Sequence, residues 1–292
     1  MMLGKQKTFM ERLFEISNGL IMLLVLVCTL YPFWYIIVCS LSSIKHVMGS
    51  NFILWPDGLH LEAYQQVFRN NLVPVAYRNT FFVVLTGTAL SMVLTVLGAF
   101  VLSRKNLPGR KAMTLFVIIT MLFNGGLIPF YLTVRELKLL NTIWALILPT
   151  ALSTYNMIIM RNGFSQVPES LFESASIDGA RMTGYLVRIL IPITMPTLAT
   201  ITLFYAVTYW NAYFHAIVFI QDKALWPIQA ILREVIMASM LNNMLFDESV
   251  FNIPTETMKN AMIVVAVLPI VCVYPFVQRF FVKGIIVGSL KG

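Results

Sequence analysis

Residues 173–192 read ESASIDGARMTGYLVRILIP, and they stand between two long stretches without an ionised side chain, 139 to 160 and 189 to 221. Pro168, just upstream, suits a first helical position, and Glu169 follows it where the helix dipole favours a carboxylate, so the spacing predicts a short helix there. The flanking stretches decide the fold class. A charged side chain near the bilayer centre costs several kcal/mol, so windows free of Asp, Glu, Lys and Arg mark candidate spans. Six windows reach 19 residues: 16 to 44, 79 to 103, 112 to 134, 139 to 160, 189 to 221 and 260 to 278. Crossing takes about 20 residues. The next longest window, 235 to 246, is too short to cross.

Composition agrees. With 58% hydrophobic and 12% charged residues, a soluble fold could not hide the apolar surface. The expectation is an all-α integral membrane protein with six transmembrane helices over about residues 20–40, 80–103, 113–133, 140–160, 193–220 and 260–279, preceded by a cytoplasmic N-terminal segment, 1–15. Placing both ends in the cytoplasm puts 13 of the 21 basic residues inside, with a net charge of +8 inside and 0 outside. This is the positive-inside pattern, and it accounts for the basic pI without nucleic acid.

The first window follows basic residues as a signal peptide would, but it is longer than an ordinary h-region and lacks a small-x-small cleavage site, so it reads as a retained span. Cys28, Cys39 and Cys272 fall in spans without CxxC or Cys/His spacing. His46, His60 and His215 show no ligand pattern either, so no metal or catalytic residue is expected.

Two long outer segments, 45 to 77 and 222 to 259, can hold structure of their own. The apolar stretch Ile228 to Phe246, interrupted by Arg233, Glu234, Asn242 and Asn243, suits a helix on the surface or against a partner, or equally one packed on the chain's own spans. The inner loop from Ser103 to Lys111 is a basic turn built on Pro108-Gly109, to which topology alone is assigned.

Residues Glu173-Ser174-Ala175, three residues, Gly179, nine residues and Ile189-Leu190-Ile191-Pro192 resemble the EAA motif of ABC import permeases, with Ser174 for Ala and Ile191 for Leu. Leu148-Pro149, Ile177-Asp-Gly-Ala180, Trp210-Asn211 and the ending Gly288-Ser-Leu-Lys-Gly292 look like the MalG-type permeases of carbohydrate importers. Asn124-Gly-Gly-Leu-Ile-Pro129 and Trp226 to Arg233 look most like the LplC-like group. The resemblance implies a type I ABC importer permease fold in a bacterial cytoplasmic membrane, with residues 16–292 as the transmembrane domain and 164–191 as the cytoplasmic coupling loop. It also implies a MalF-type permease partner, two ATPase subunits, an extracytoplasmic solute-binding protein and an oligosaccharide cargo. No G-x-x-x-x-G-K-[ST] segment occurs, so ATP and Mg are expected in the partner subunits and no cofactor in this chain.

On a helix, Phe172, Ala175, Ser176 and Gly179 share one mostly small face. Phe172 would then be an apolar anchor for a groove on the ATPase, with Glu173 and Asp178 offering carboxylates to basic partners. The tail Ser289, Leu290, Lys291 and Gly292 would reach the ATPases, as the resemblance implies. Polar and aromatic residues inside spans are candidates for the substrate path: Asn124, Tyr155, Asn156, Tyr205, Tyr209, Asn211 and Tyr213. They suit a sugar through ring stacking and hydroxyl hydrogen bonds, but they equally suit bonding helix to helix. An importer for another solute class is the alternative. A secondary transporter or channel would need ionisable residues inside the spans, and an intramembrane enzyme would need paired ligands at membrane depth.

Overall fold

The computed structural model describes residues 9–49, 53–123, 125–245 and 256–289, and every regular element among them is helical. In chain order these are α1 (Phe9–Leu41), α2 (Ile44–Gly49), α3 (Glu62–Arg69), α4 (Leu72–Ser103), α5 (Arg110–Leu122), α6 (Leu127–Glu136), α7 (Trp144–Ile147) and α8 (Thr154–Ser165). There follow α9 (Glu169–Ile177), α10 (Met182–Tyr185), the π-helical Leu186–Leu190, α11 (Ile191–Ile193), α12 (Met195–Trp210), α13 (Phe214–Phe219), α14 (Ile228–Leu245) and α15 (Glu256–Ser289). Short 3₁₀ turns follow α7 and α13. The chain forms two units, Met1–Asn70 with Val235–Val267, and Asn71–Glu234 with Leu268–Gly292.

In the first unit, a strap of chain closes over the end of α1. The Trp34 indole donates to the Leu54 carbonyl at 2.8 Å, its ring meets Trp55 edge-on, and the His60 amide donates to the Leu41 carbonyl at 2.9 Å. Asp57 accepts from the Ser43 amide at 2.9 Å and from the Ser43 hydroxyl, and these bonds hold its carboxyl below the usual carboxylate range.

The second unit is organised by α4. Its buried face carries Thr80, Gly87, Thr88, Ser91 and Thr95 at helical spacing, a small-residue stripe that lets other backbones approach closely. Tyr205 and Tyr209 of α12 lie against it, 2% and 1% exposed. A Cβ added at Gly87 would stand 2.7 Å from the Tyr209 ring. The first turns of α14 are also plugged into this unit: Ile228, Ala230 and Ile231 are buried, and the Ile228 amide donates to Thr80 Oγ1 at 2.8 Å. Asn79 ties down the preceding turn by donating to the carbonyls of Ala224 and Trp226. Of the two readings for this stretch, packing on the chain itself is the one found for its start.

Of the six windows, those at 20–40, 80–103 and 260–279 lie in long unbroken helices, while two others are bent pairs. In the third window α5 and α6 meet at 111°, where Gly126 takes φ +85°. In the fifth, α11 and α12 meet at 86° near Thr194, because the Pro196 ring cannot pass the Pro192 carbonyl without opening the helix. The single helix expected over 140–160 is corrected by the structure. There α7 gives way to a 3₁₀ turn at Leu148–Thr150 around Pro149, and α8 restarts after Ser153, whose hydroxyl accepts from the Asn156 amide. A count of charges cannot register a proline or a cap.

Candidate functional site

The helix expected after Pro168 is present as α9, with Pro168 at its N-cap, one position ahead of its expected place. Its end is built by the second half of the motif. The Gly179 amide donates to the Ser176 carbonyl at 3.1 Å, and the Ala180 amide donates to the Ala175 carbonyl at 2.9 Å. This pair of bonds closes a helix through a left-handed residue, and Gly179 adopts φ +77°. Nothing lies within 4 Å of where its Cβ would be, so the backbone angle, and not crowding, calls for glycine here.

The two faces of α9 differ from expectation. Ala175 is buried at 6% exposure, and Phe172 turns inward with it, meeting the Tyr185 ring edge-on at 5.0 Å. The Arg104 guanidinium covers the other side of Phe172, 3.6 Å from the ring centroid. Phe172, expected as an outward anchor, is thus half-buried against its own chain. An aromatic side chain between small residues finds its apolar cover within its own chain. The most exposed apolar residue of α9 is Ile177, 87% exposed against 40% for Leu171, with Glu173 and Asp178 exposed beside it.

Arg104 and Lys105, read from the sequence as topology alone, are the residues missed. Lys105 Nζ pairs with a Glu169 carboxylate oxygen at 3.2 Å, and a crevice lined by Arg104, Lys105, Glu169 and Tyr185 marks where the basic turn meets α9. The end of α4 is held by two more cations: Arg110 and Arg161 both donate through Nε to the Leu102 carbonyl, at 3.0 and 3.3 Å. Cations suit that negative end of the helix dipole. Desolvation, with Arg110 nearby, lowers the pKa of Arg161, while burial raises that of Tyr185.

The path candidates divide. Tyr205 shares a hydrogen bond with Thr95 at 2.7 Å and accepts from the Ser153 amide at 3.0 Å. Tyr209 shares one with Ser91 at 2.9 Å and donates to the Ile147 carbonyl at 3.4 Å. The two tyrosines thus satisfy backbone groups freed where the fourth window breaks, which non-helical backbone requires in an apolar setting. Tyr155 and Asn156 line an open groove of about 800 Å³ together with Thr150, Ser153, Tyr205 and Thr208. Asn211 closes α12 by donating to the Val207 carbonyl at 2.9 Å, and Tyr213 lies under the Arg233 guanidinium at 5.2 Å. Asn124, Leu290, Lys291 and Gly292 lie outside the described residues; Ser289 ends α15.

Long apolar helices joined through bent and broken segments, with the capped helix α9 in a charged loop between two of them, define a polytopic membrane protein. Comparison makes the class specific. Residues 103–287 match the model of the binding-protein-dependent transport system inner membrane component, and the chain belongs to that family of ABC transporter permeases. It is 44% identical to the polygalacturonan/rhamnogalacturonan transport system permease protein YtcP of Bacillus subtilis, over 97% of this chain and 99% of that one. It is 41% identical to Protein LplC of the same organism over 96% of each. A chain from the crystal structure of a bacterial ABC transporter involved in the import of the acidic polysaccharide alginate superposes with a TM-score of 0.86 at 33% identity, covering 95% of this chain and 99% of that one.

Proposed function

We propose that this chain is the MalG-type half of the membrane domain of a carbohydrate importer, paired with a homologous MalF-type permease. Two ATPase subunits drive the pair, and an extracytoplasmic solute-binding protein feeds it. The cargo is an oligosaccharide rich in uronic acids, because relatives matching nearly the whole chain are named for transport of polygalacturonan and alginate. Both ends and the loop around α9 face the cytoplasm.

The observation that carries this reading is the outer face of α9. Ile177, Glu173 and Asp178 stand free of their own chain on a helix whose other side is gripped, as a docking surface for an ATPase groove requires. Hydrolysis belongs to that partner. The tail Ser289–Gly292 is a second contact with it, and the groove beside Tyr155 and Asn156 is the part of the sugar path on this chain.

The test is uptake by proteoliposomes holding this chain with its partner permease, the ATPases and the binding protein. The reading requires ATP-dependent accumulation of a defined oligogalacturonide in preference to a neutral oligosaccharide of equal length. Equal uptake of both would remove the uronate assignment, and uptake without ATP would remove the importer assignment.

A further inference from the structure

The helix α9 follows α8 through residues 166–168, and its downstream connection is soft. Along the chain it continues into α10, a π-helical turn at Leu186–Leu190 and the 86° bend before α12. A π-helical turn followed by a proline-driven break is a joint, because its hydrogen-bond ladder is already interrupted.

Side-chain contacts with the end of α4 supply a second attachment. Arg104 is the C-cap residue of α4, so its backbone is fixed by the end of that helix. Its guanidinium covers Phe172 at 3.6 Å and reaches Tyr185 at 5.9 Å, while Phe172 and Tyr185 meet edge-on. The adjacent Lys105 pairs with Glu169 at the first turn of α9. The two contacts grip α9 at its first turn and one turn further on, which resists rotation as well as translation. A planar guanidinium on an aromatic face supplies an attraction that a lysine ammonium does not reproduce in geometry. The carbonyl of Leu102, pinned by Arg110 and Arg161, keeps the base of the grip from fraying.

We propose that Arg104 and Lys105 are positioning residues that make α9 and the end of α4 one moving body. Displacement of α9 is then delivered to α4, the helix holding Tyr205 and Tyr209 through Thr95 and Ser91, and not along the jointed chain to α12. The inference rests on the reading of α9 as the ATPase-docking helix.

Two measurements on the complete importer test it. With Cys28, Cys39 and Cys272 replaced, spin labels at the exposed positions Ser174 and Val101 report the separation of α9 from the end of α4. The expected result is one distance with and without trapped ATP in the parent, and a shifted or broadened distribution in Arg104→Ala. In the same variants, oligogalacturonide uptake per ATP hydrolysed falls about threefold or more in Arg104→Ala, as loss of a cation–aromatic contact of ordinary strength allows, and less in Arg104→Lys. Lys105→Glu lowers the same ratio, and adding Glu169→Lys restores it. A parent distance that changes with ATP overturns the proposal. So does an Arg104→Ala variant with unchanged distance and unchanged uptake per ATP. Failure of the importer reading is distinguishable, since it removes ATP-driven uptake from the parent while leaving the distance measurement intact.

Discussion

The Ala180 amide donates to the carbonyl of Ala175 at 2.9 Å, across a glycine whose φ of +77° few other residues adopt. That bond explains why the motif places glycine four residues after its small pair. The turn must reverse the chain at once so that α10 can bring Tyr185 back onto Phe172. Gly179→Ala should cost about 1 to 2 kcal/mol at this turn without any clash. Hydrogen exchange at the Ala180 amide should quicken about tenfold while α4 is unaffected, and unchanged protection at Ala180 would count against the cap.

Gly87 makes the opposite case, where space and not backbone angle demands glycine. An added Cβ would stand 2.7 to 2.8 Å from three atoms of the Tyr209 ring, which is held from behind by its bonds to Ser91 and Ile147. Gly87→Ala should destabilise the purified protein by about 1 to 3 kcal/mol, the range for overpacking. The thermal midpoint in detergent should drop by several degrees, and a midpoint equal to the parent's would show that the ring can move aside.

Tyr205 and Asn156 line the same groove but should behave differently. Tyr205→Phe removes the hydroxyl that accepts from the partly buried Ser153 amide, leaving a donor without its partner at a cost of about 1 kcal/mol. Stability should fall while the KM for uptake hardly changes. Asn156→Leu keeps a side chain of similar size and removes a polar group from the groove, so KM should rise several-fold at unchanged stability. The reverse assignment would move Tyr205 into the sugar path.

How far the site was legible depends on the kind of signal each residue left. The helix after Pro168 was readable because its start signal is local, whereas Gly179, grouped with the small face of that helix, lies past its end and closes it at φ +77°. Phe172 is covered and Ile177 exposed, the opposite of the expected anchor, because periodicity groups residues by face without saying which face is covered. Phe172 is covered by Arg104, 68 positions away in the chain, and no spacing rule links the two. The breaks in the fourth and fifth windows had local signs in Pro149, Ser153 and Pro196, but a count of ionised groups passes over them. Tyr205 and Tyr209 stand one turn apart on α12, while Tyr213 lies beyond its end. Their partners, Ser153 and Ile147, become visible only once the fourth window is seen to open.

The strap over α1 should respond to acid. Asp57 has a folded-state pKa below its ordinary value, so its stabilising contribution is present above the unfolded carboxylate pKa of about 3.9 and is lost as pH falls through the folded value. Tryptophan emission from Trp34 and Trp55 should therefore hold steady at neutral pH and shift only below about pH 4. Asp57→Asn should already show the shifted emission at pH 7, and a parent emission that shifts between pH 5 and 7 would count against the Asp57 assignment.

The exposed face of α9 gives the sharpest test of docking. Ile177 is 87% exposed and makes no contribution to the buried core, so changing it should leave the permease itself intact. If an ATPase groove covers it, Ile177→Glu buries a carboxylate against that groove, and the assembled complex should lose about tenfold or more in affinity for the ATPase. Glu173→Lys, one turn earlier and also exposed, should reverse a charge facing basic residues and slow assembly more strongly at low salt than at high salt. Phe172→Ala is the contrasting variant. Its ring meets Arg104 and Tyr185, so it should loosen α9 on its own chain, seen as faster amide exchange before any ATPase is added. Equal loss of ATPase binding in Phe172→Ala and Ile177→Glu, with α9 still protected in both, would return Phe172 to the docking face and Ile177 to the solvent.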